Sequence, residues 1–357
     1  MQKHQTTIKT QIDLPLEPQA SFDVLVEELS RALDDLGFQF KPGENGELVQ
    51  KEFRVGKVIA WEPGRRFLFD WHPANWQPDE SLQVELRLEP VAGGARLTFE
   101  QRGWGNLIES PDELTGWVSG QVLAPLLQAV SPEAFGDWLT DRVARRPQGA
   151  GARFTYRDPL YHYPNFRAIL SELALEADDV LLEVGCGGGA FLREALRSGC
   201  RAAAVDHSPE MVHLAREENQ QAVAEGRLDV RHASADRLPF ADETFTCAVM
   251  TGVLGFLADP VAAFREIYRT LQRGGRLVVL GSDPTWKGTP AAPEPMASRL
   301  HFYTDPQLEQ LARQAGFEKA SVVRRDLEQN AREVGIPPEH ISLFAGPGAP
   351  FLIARKS

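Results

Sequence analysis

Polar and apolar positions alternate over residues 5–14, with Ile8, Ile12 and Leu14 set against Lys9, Gln11 and Asp13. That period predicts a half-buried strand, ended by Pro15 and Pro18. Phe22, Leu25, Val26, Leu29 and Leu33 then recur at helical spacing, and Gly37 closes the helix. From Gly46 to Gly103 the pattern becomes a series of strands, KEFRVGKVIAWEP, RRFLFDWHP, LQVELRLEP and ARLTFEQRGW, separated by Pro-Gly, Pro-Ala-Asn and Gly-Gly. A second helix is predicted beyond them, with Leu114, Trp117, Val118, Val122, Leu123 and Leu126 on one face. An antiparallel sheet between two helices predicts an α+β domain over residues 1–143.

Residues 144–155 mix arginine, proline, glycine and alanine without apolar periodicity, which predicts a linker. From 156 to 357 the pattern changes again. Short apolar runs (VLLEVG, AAAVD, LDVRHA, TCAVMTG and RLVVLG) alternate with helical spacing such as Phe191, Ala195 and Leu196. Strand–helix alternation of this kind predicts an α/β domain, a parallel sheet covered by helices on both faces.

A length of 357 residues agrees with two domains, and 43% hydrophobic residues give each a core. The net charge of -12 argues against nucleic acid as the main partner. Cys186, Cys200 and Cys247 are too few and too scattered for a disulfide framework or a metal site, and read as small buried hydrophobes. Thiol chemistry or a soft-metal substrate is the other reading of them. The N-terminal MQKHQTTIKTQ lacks the apolar stretch of a signal peptide, and no run of about 18 apolar residues exists. A cytoplasmic protein with no membrane span is the expectation.

The most informative segment is Val180–Phe191, where a buried strand runs into a glycine-rich turn that opens a helix. Glycine is needed where backbone approaches a ligand or φ is positive. The next strand ends at Asp206, placed to accept hydrogen bonds from two ribose hydroxyls. Gly185, Gly187 and Ala190 also satisfy the dinucleotide fingerprint, and a turn without any ligand is a further alternative. Glu183 weighs against a dinucleotide, because phosphate favours a site free of anions. A carboxylate beside the loop suits a ligand that carries a sulfonium and an ammonium group instead.

Glu183-x-Gly185-x-Gly187-x-Gly189 resembles the first motif of class I S-adenosylmethionine-dependent methyltransferases, of the type 11-like group. Asp206-His207-Ser208-Pro209-Glu210-Met211, Leu238–Phe245, Asp259-Pro260 with Phe264–Leu271 and Gly274-Gly275, Leu308–Phe317, and Pro350–Ala354 are similar to later family segments, in order. The resemblance implies a Rossmann-like, doubly wound sheet and S-adenosylmethionine as cofactor. It implies that Glu183, Gly185, Cys186, Gly187 and Gly189 hold the methionine portion and Asp206 the ribose. His207 would flank the adenine, and Thr251 would line the pocket. Ser234, in Ala233-Ser234-Ala235-Asp236, stands where the family usually has an acidic residue against the adenine, so Asp236 is a second candidate for that contact. Leu254-Gly255-Phe256-Leu257 lacks the histidines that relatives often carry there, so no metal or general base is read from it.

Methyl transfer from a sulfonium needs alignment more than acid–base machinery, although a hydroxyl acceptor would need a base. Tyr161, His162, Tyr163, His301 and Tyr303 are acceptor-side candidates, with simple packing as the alternative role. The insert Ser282–Ser298 reads as a lid loop.

In the first domain, Trp61–Trp71, Gly93–Glu100 and Gly116-Trp117 resemble the homologues of the heat-shock-protein-90 ATPase activator in the START-like (SRPBCC) superfamily. That resemblance implies a helix-grip fold with a cavity that Trp71, Trp76 and Trp104 could line, and does not imply chaperone activity. The expectation is an enzyme that methylates a small molecule, with the N-terminal domain binding the acceptor or a protein partner. The alternatives are a non-catalytic S-adenosylmethionine sensor and a protein methyltransferase or chaperone-associated factor.

Overall fold

The computed structural model describes residues 7–35, 37–71, 82–103, 128, 132–147 and 150–357. It separates into two units between Leu139 and Thr140.

The first unit contains β1 (Thr7–Leu14), α1 (Pro18–Asp35), β2 (Phe38–Lys41), β3 (Glu47–Gln50), β4 (Phe53–Glu62), β5 (Arg66–Trp71), β6 (Leu82–Val91) and β7 (Gly94–Gly103). The strands form one antiparallel sheet in the order β1-β7-β6-β5-β4-β3-β2. Its inner face follows the two-residue period: Phe67, Phe69 and Trp71, then Val84, Leu86 and Leu88, then Ala95, Leu97 and Phe99 are buried. Phe22, Leu25, Leu29 and Leu33 of α1 share that core. β2 was not anticipated, since four residues are too short to show a period. Trp71 is core, with its ring centroid 5.4 Å from that of Phe38. Trp76, Trp104, the Gly116-Trp117 motif and the helical face Leu114–Leu126 lie outside the described residues.

α2 (Pro132–Thr140) runs into a π-helical turn, Asp141–Arg145, and α3 (Ala150–Arg157) follows. Helical structure therefore occupies much of the stretch expected as a linker. Among the described side chains of α3, Ala152 and Tyr156 join an apolar cluster with Met211 and Leu214, too few to show a period.

The remaining elements are α4 (Tyr163–Leu173), β8 (Val180–Val184), α5 (Ala190–Ala195), β9 (Arg201–Asp206), α6 (Pro209–Glu218), α7 (Gln220–Ala224), β10 (Leu228–His232), β11 (Phe245–Met250), α8 (Pro260–Thr270), β12 (Leu271–Leu280), α9 (Asp305–Gln314), β13 (Lys319–Arg325), α10 (Glu328–Glu333) and β14 (Ala349–Arg355). The sheet order is β10-β9-β8-β11-β12-β14-β13. β8 to β12 are parallel, whereas β14 lies antiparallel between β12 and β13. Leu181, Ala202, Cys247, Val249 and Val278 are buried on one face, and Leu182, Val184, Ala203, Ala248 and Met250 on the other. Burial on both faces is what the continuous apolar runs require. All three cysteines are buried, and burial pushes the Cys247 thiol up to about 12. Among the described residues, no helix is long and apolar enough to cross a membrane.

Candidate cofactor site

The chain order reverses between β8 and β11, and in open α/β sheets such a switch point opens a crevice at the strands' carboxyl ends. Glu183 pairs in register with Ala204 of β9 and with Val249 of β11. Asp206 and Thr251 stand two residues beyond those partners. The two-residue period therefore puts Asp206, Glu183 and Thr251 on one face, with Glu183 in the middle.

The loop after β8 can be built only from glycine at key points. The Gly185 and Cys186 amides donate to the Val205 carbonyl at 2.8 and 3.1 Å, which folds the chain across β9. Gly185 has φ +79°, and a Cβ there would come within 2.1 Å of the Val253 side chain. At Gly188 a Cβ would meet the Tyr156 carbonyl at 2.3 Å. Asp206 is 8% exposed, and its two carboxylate oxygens accept the amides of Gly187 (2.9 Å) and Ser208 (2.8 Å). Burial raises its pKa, and those amides counteract the rise.

Glu183 is different in kind. It is 1% exposed, and its Oε2 has no hydrogen-bond partner. Burial, reinforced by the Asp206 charge, holds its carboxyl well above the usual carboxylate range. The buried Thr251 hydroxyl also lacks a partner. A buried polar group without a partner costs about 1–3 kcal/mol, more if charged. This trio is suited to a ligand that brings hydrogen-bond donors and positive charge.

These groups open into a cavity of about 440 Å³. Glu183, Gly185, Cys186, Gly187, Asp206, His207, Ser234, Ala235, Asp236 and Thr251 all line it, while Gly189 does not and instead caps α5. Of the five acceptor-side candidates only His162 lines the cavity. Its ring is solvent-accessible there yet surrounded by protein, and that desolvation lowers its pKa. Tyr161 is bonded to His340 Nδ1 at 2.5 Å and stacked near Phe344. Tyr163 donates to Asp158 and accepts from Arg193. The backbones of His301 and Tyr303 pair with Gly255 and Ser282. No residue of the insert 282–298 lines the cavity. Its Asp283 is tied to Thr285 and Arg324, and Trp286 packs on the core.

Several lining residues escaped sequence reasoning. Phe166, Phe256 and Leu257 give an apolar stretch, and Ala144–Pro147 with Tyr156 form a wall. The Tyr156 ring lies over Gly187, where a Cβ would sit 2.9 Å from its Cδ1. Burial, with the Asp206 charge, pushes its phenol up to about 12. No sequence signal marked this tyrosine.

Residues 182–279 match the family described as Methyltransferase domain, and residues 32–122 match Activator of Hsp90 ATPase homolog 1-like protein. An uncharacterised protein of Mycobacterium bovis is 30% identical over 236 residues, which cover 58% of this chain and 78% of that one. The demethylmenaquinone methyltransferase of Lactiplantibacillus plantarum is 27% identical over 193 residues, covering 46% and 81%. A transposon-encoded protein of Streptomyces fradiae is 32% identical over 43% of this chain, which spans about half (48%) of that relative's length. A solved methyltransferase of Thermotoga maritima, described as a possible histamine N-methyltransferase, is 24% identical, covering 57% and 93% at a TM-score of 0.44. The chain thus carries a methyltransferase domain of the type 11 family over residues 182–279, preceded over residues 32–122 by one of the activator-of-Hsp90-ATPase-homologue type.

Proposed function

We propose that the second unit binds S-adenosylmethionine and transfers its methyl group to a small-molecule acceptor. The observation that carries this reading is the buried Glu183 carboxyl beside the glycine loop, its Oε2 without a hydrogen-bond partner, flanked by Asp206 and Thr251. Glu183 Oε2 and the Thr251 hydroxyl lack the partners that a sulfonium nucleoside offers. Glu183 and Thr251 would take the ammonium end, and Asp206, oriented by backbone amides, the ribose hydroxyls. His207, Ser234, Ala235 and Asp236 would border the adenine. When bound, the cofactor supplies an electrophilic methyl on a good leaving group.

The chain's own residues then align and shield. Gly185 and Gly187 let backbone approach the ligand, while Phe166, Phe256 and Leu257 keep water from the apolar stretch. Alignment of this kind supplies much of the rate for an in-line displacement. His162, held neutral by desolvation, would accept the proton of a hydroxyl acceptor. Relatives named for quinone precursors agree with an apolar acceptor. The N-terminal domain is proposed to bind the acceptor or a protein partner.

Ser234 at the adenine edge favours one second reading, a sensor that binds the nucleoside without turnover. Calorimetry with S-adenosylmethionine and S-adenosylhomocysteine, followed by an assay of homocysteine release across phenols, quinols, amines and thiols, separates the readings. Binding with turnover supports the enzyme, and binding with no turnover on any acceptor supports the sensor. Absence of binding refutes both.

A further inference from the structure

The wall formed by Ala144–Pro147 and Tyr156 differs from the rest of the cavity in how it is held. The β8 loop and Asp206 are anchored by the sheet. The wall sits on the segment that leads out of α2, at whose end the boundary between the units falls. Thr140, the residue before the π turn Asp141–Arg145, keeps helical angles (φ -61°, ψ -42°). Ala144, Arg145, Arg146 and Pro147 then face the cavity.

Hydrogen bonds from Tyr156 and Ser208 latch this strap. The Tyr156 hydroxyl donates to the Val143 carbonyl at 3.2 Å, and the Ser208 hydroxyl to the Pro147 carbonyl at 2.9 Å. Arg157 pairs with Glu217 and Glu218 of α6. Within the strap Val143 is 48% exposed, while Pro147 is buried. Segments with little buried apolar surface open locally at low free energy.

Both latches end at cofactor-site groups. Tyr156 lies on Gly187, and Ser208 donates its amide to Asp206. A ligand in the cavity gains its wall contacts only when the strap is seated, so its binding must shift the strap toward that state. We infer that Asp141–Pro147, latched through Tyr156 and Ser208, is a cofactor-responsive strap: filling the cavity locks the segment by which the N-terminal domain is attached. The inference rests on the cofactor reading above. Reciprocity follows, so whatever seats the strap from the N-terminal side tightens cofactor binding by the same factor.

Limited trypsinolysis of the full chain tests this, with S-adenosylhomocysteine as the probe and cleavage after Arg145 as the readout. Cleavage after Arg65, in the first unit, serves as the reference site. Saturating S-adenosylhomocysteine is expected to slow cleavage after Arg145 about tenfold relative to the reference, within the range usual for coupled sites. Tyr156→Phe keeps the ring on Gly187 and removes the latch. It is expected to speed ligand-free cleavage after Arg145 several-fold and to weaken S-adenosylhomocysteine binding by a similar factor. Hydrogen exchange of residues 141–147 in the wild-type chain gives the same information should the variant fold poorly. Calorimetric binding without protection of Arg145 overturns the strap alone. Absence of S-adenosylhomocysteine binding overturns the cofactor reading together with it.

Discussion

Glu183→Gln separates a cofactor role from a structural one, because the two predict opposite signs. Gln has nearly the same shape and no charge. In the ligand-free chain Glu183 is buried, with Oε2 unpartnered and Asp206 nearby, and its pKa is raised by burial first and the Asp206 charge second. An acid whose folded pKa lies above its unfolded value costs nothing below the unfolded pKa. The penalty grows as pH rises through the interval between the two. At pH 7 the substitution is expected to remove about 2 kcal/mol of that penalty. In a unit of this size that raises the ligand-free Tm by roughly 4–8 °C. The gain should shrink to nothing near pH 4. Binding should move the other way, because charge-assisted hydrogen bonds contribute about 1.5–3 kcal/mol, so S-adenosylmethionine should bind about 10- to 150-fold more weakly. Thermal melts at pH 4 and 7, with calorimetry at pH 7, read both effects. A Glu183→Gln chain that melts lower at pH 7, or binds the cofactor undiminished, refutes the reasoning.

Other consequences follow from the same geometry. Since burial raises both the Glu183 and Asp206 pKa values, S-adenosylmethionine affinity should fall as pH drops and these carboxylates take up protons. Titrations from pH 8 to 5 would show it, and a flat profile would argue that neither group meets the ligand's charge. Gly185→Ala should cost about 3 kcal/mol through left-handed strain and a 2.1 Å overlap with Val253, whereas Gly187→Ala shares the left-handed strain (φ +50°) but approaches the edge of Tyr156 only to 2.9 Å and should cost about 1–2 kcal/mol. Urea melts would rank them, and the reverse order would contradict the geometry. Asp179 is taken up by burial but brought down to about 2 by Arg276, Thr246 and the Glu176 amide. Its lowered pKa gives stability that is full above the ordinary carboxylate range and is lost as pH falls through about 2. Asp179→Asn should therefore cost roughly 2 kcal/mol at neutral pH and little near pH 2, as acid and urea melts would report.

The parts of the site legible in the sequence are those set by strand register. Glycines after β8 and an acid at the end of β9 follow from where parallel strands stop, so their spacing revealed them, while Thr251 after β11 came from the family resemblance. Ser234, Ala235 and Asp236 line the cavity for the same reason, just past β10. The acceptor side was less legible because neighbouring residues at a helix start radiate in different directions. Of Tyr161, His162 and Tyr163, only the middle one turns inward, while the flanking hydroxyls bind His340 and the Asp158–Arg193 pair. Tyr156 was invisible because α3 buries so little that it leaves no period to read. The antiparallel β14 was hidden by composition, since Phe351–Ala354 looks like any buried strand.

The decisive measurement is a crystal structure of the chain grown with S-adenosylhomocysteine. The account predicts the amino group about 3 Å from Glu183 and the ribose hydroxyls at the same distance from Asp206, with the Tyr156 ring against the ligand. A nucleoside bound elsewhere, or a dinucleotide phosphate resting on Gly187 and Gly188, would contradict it.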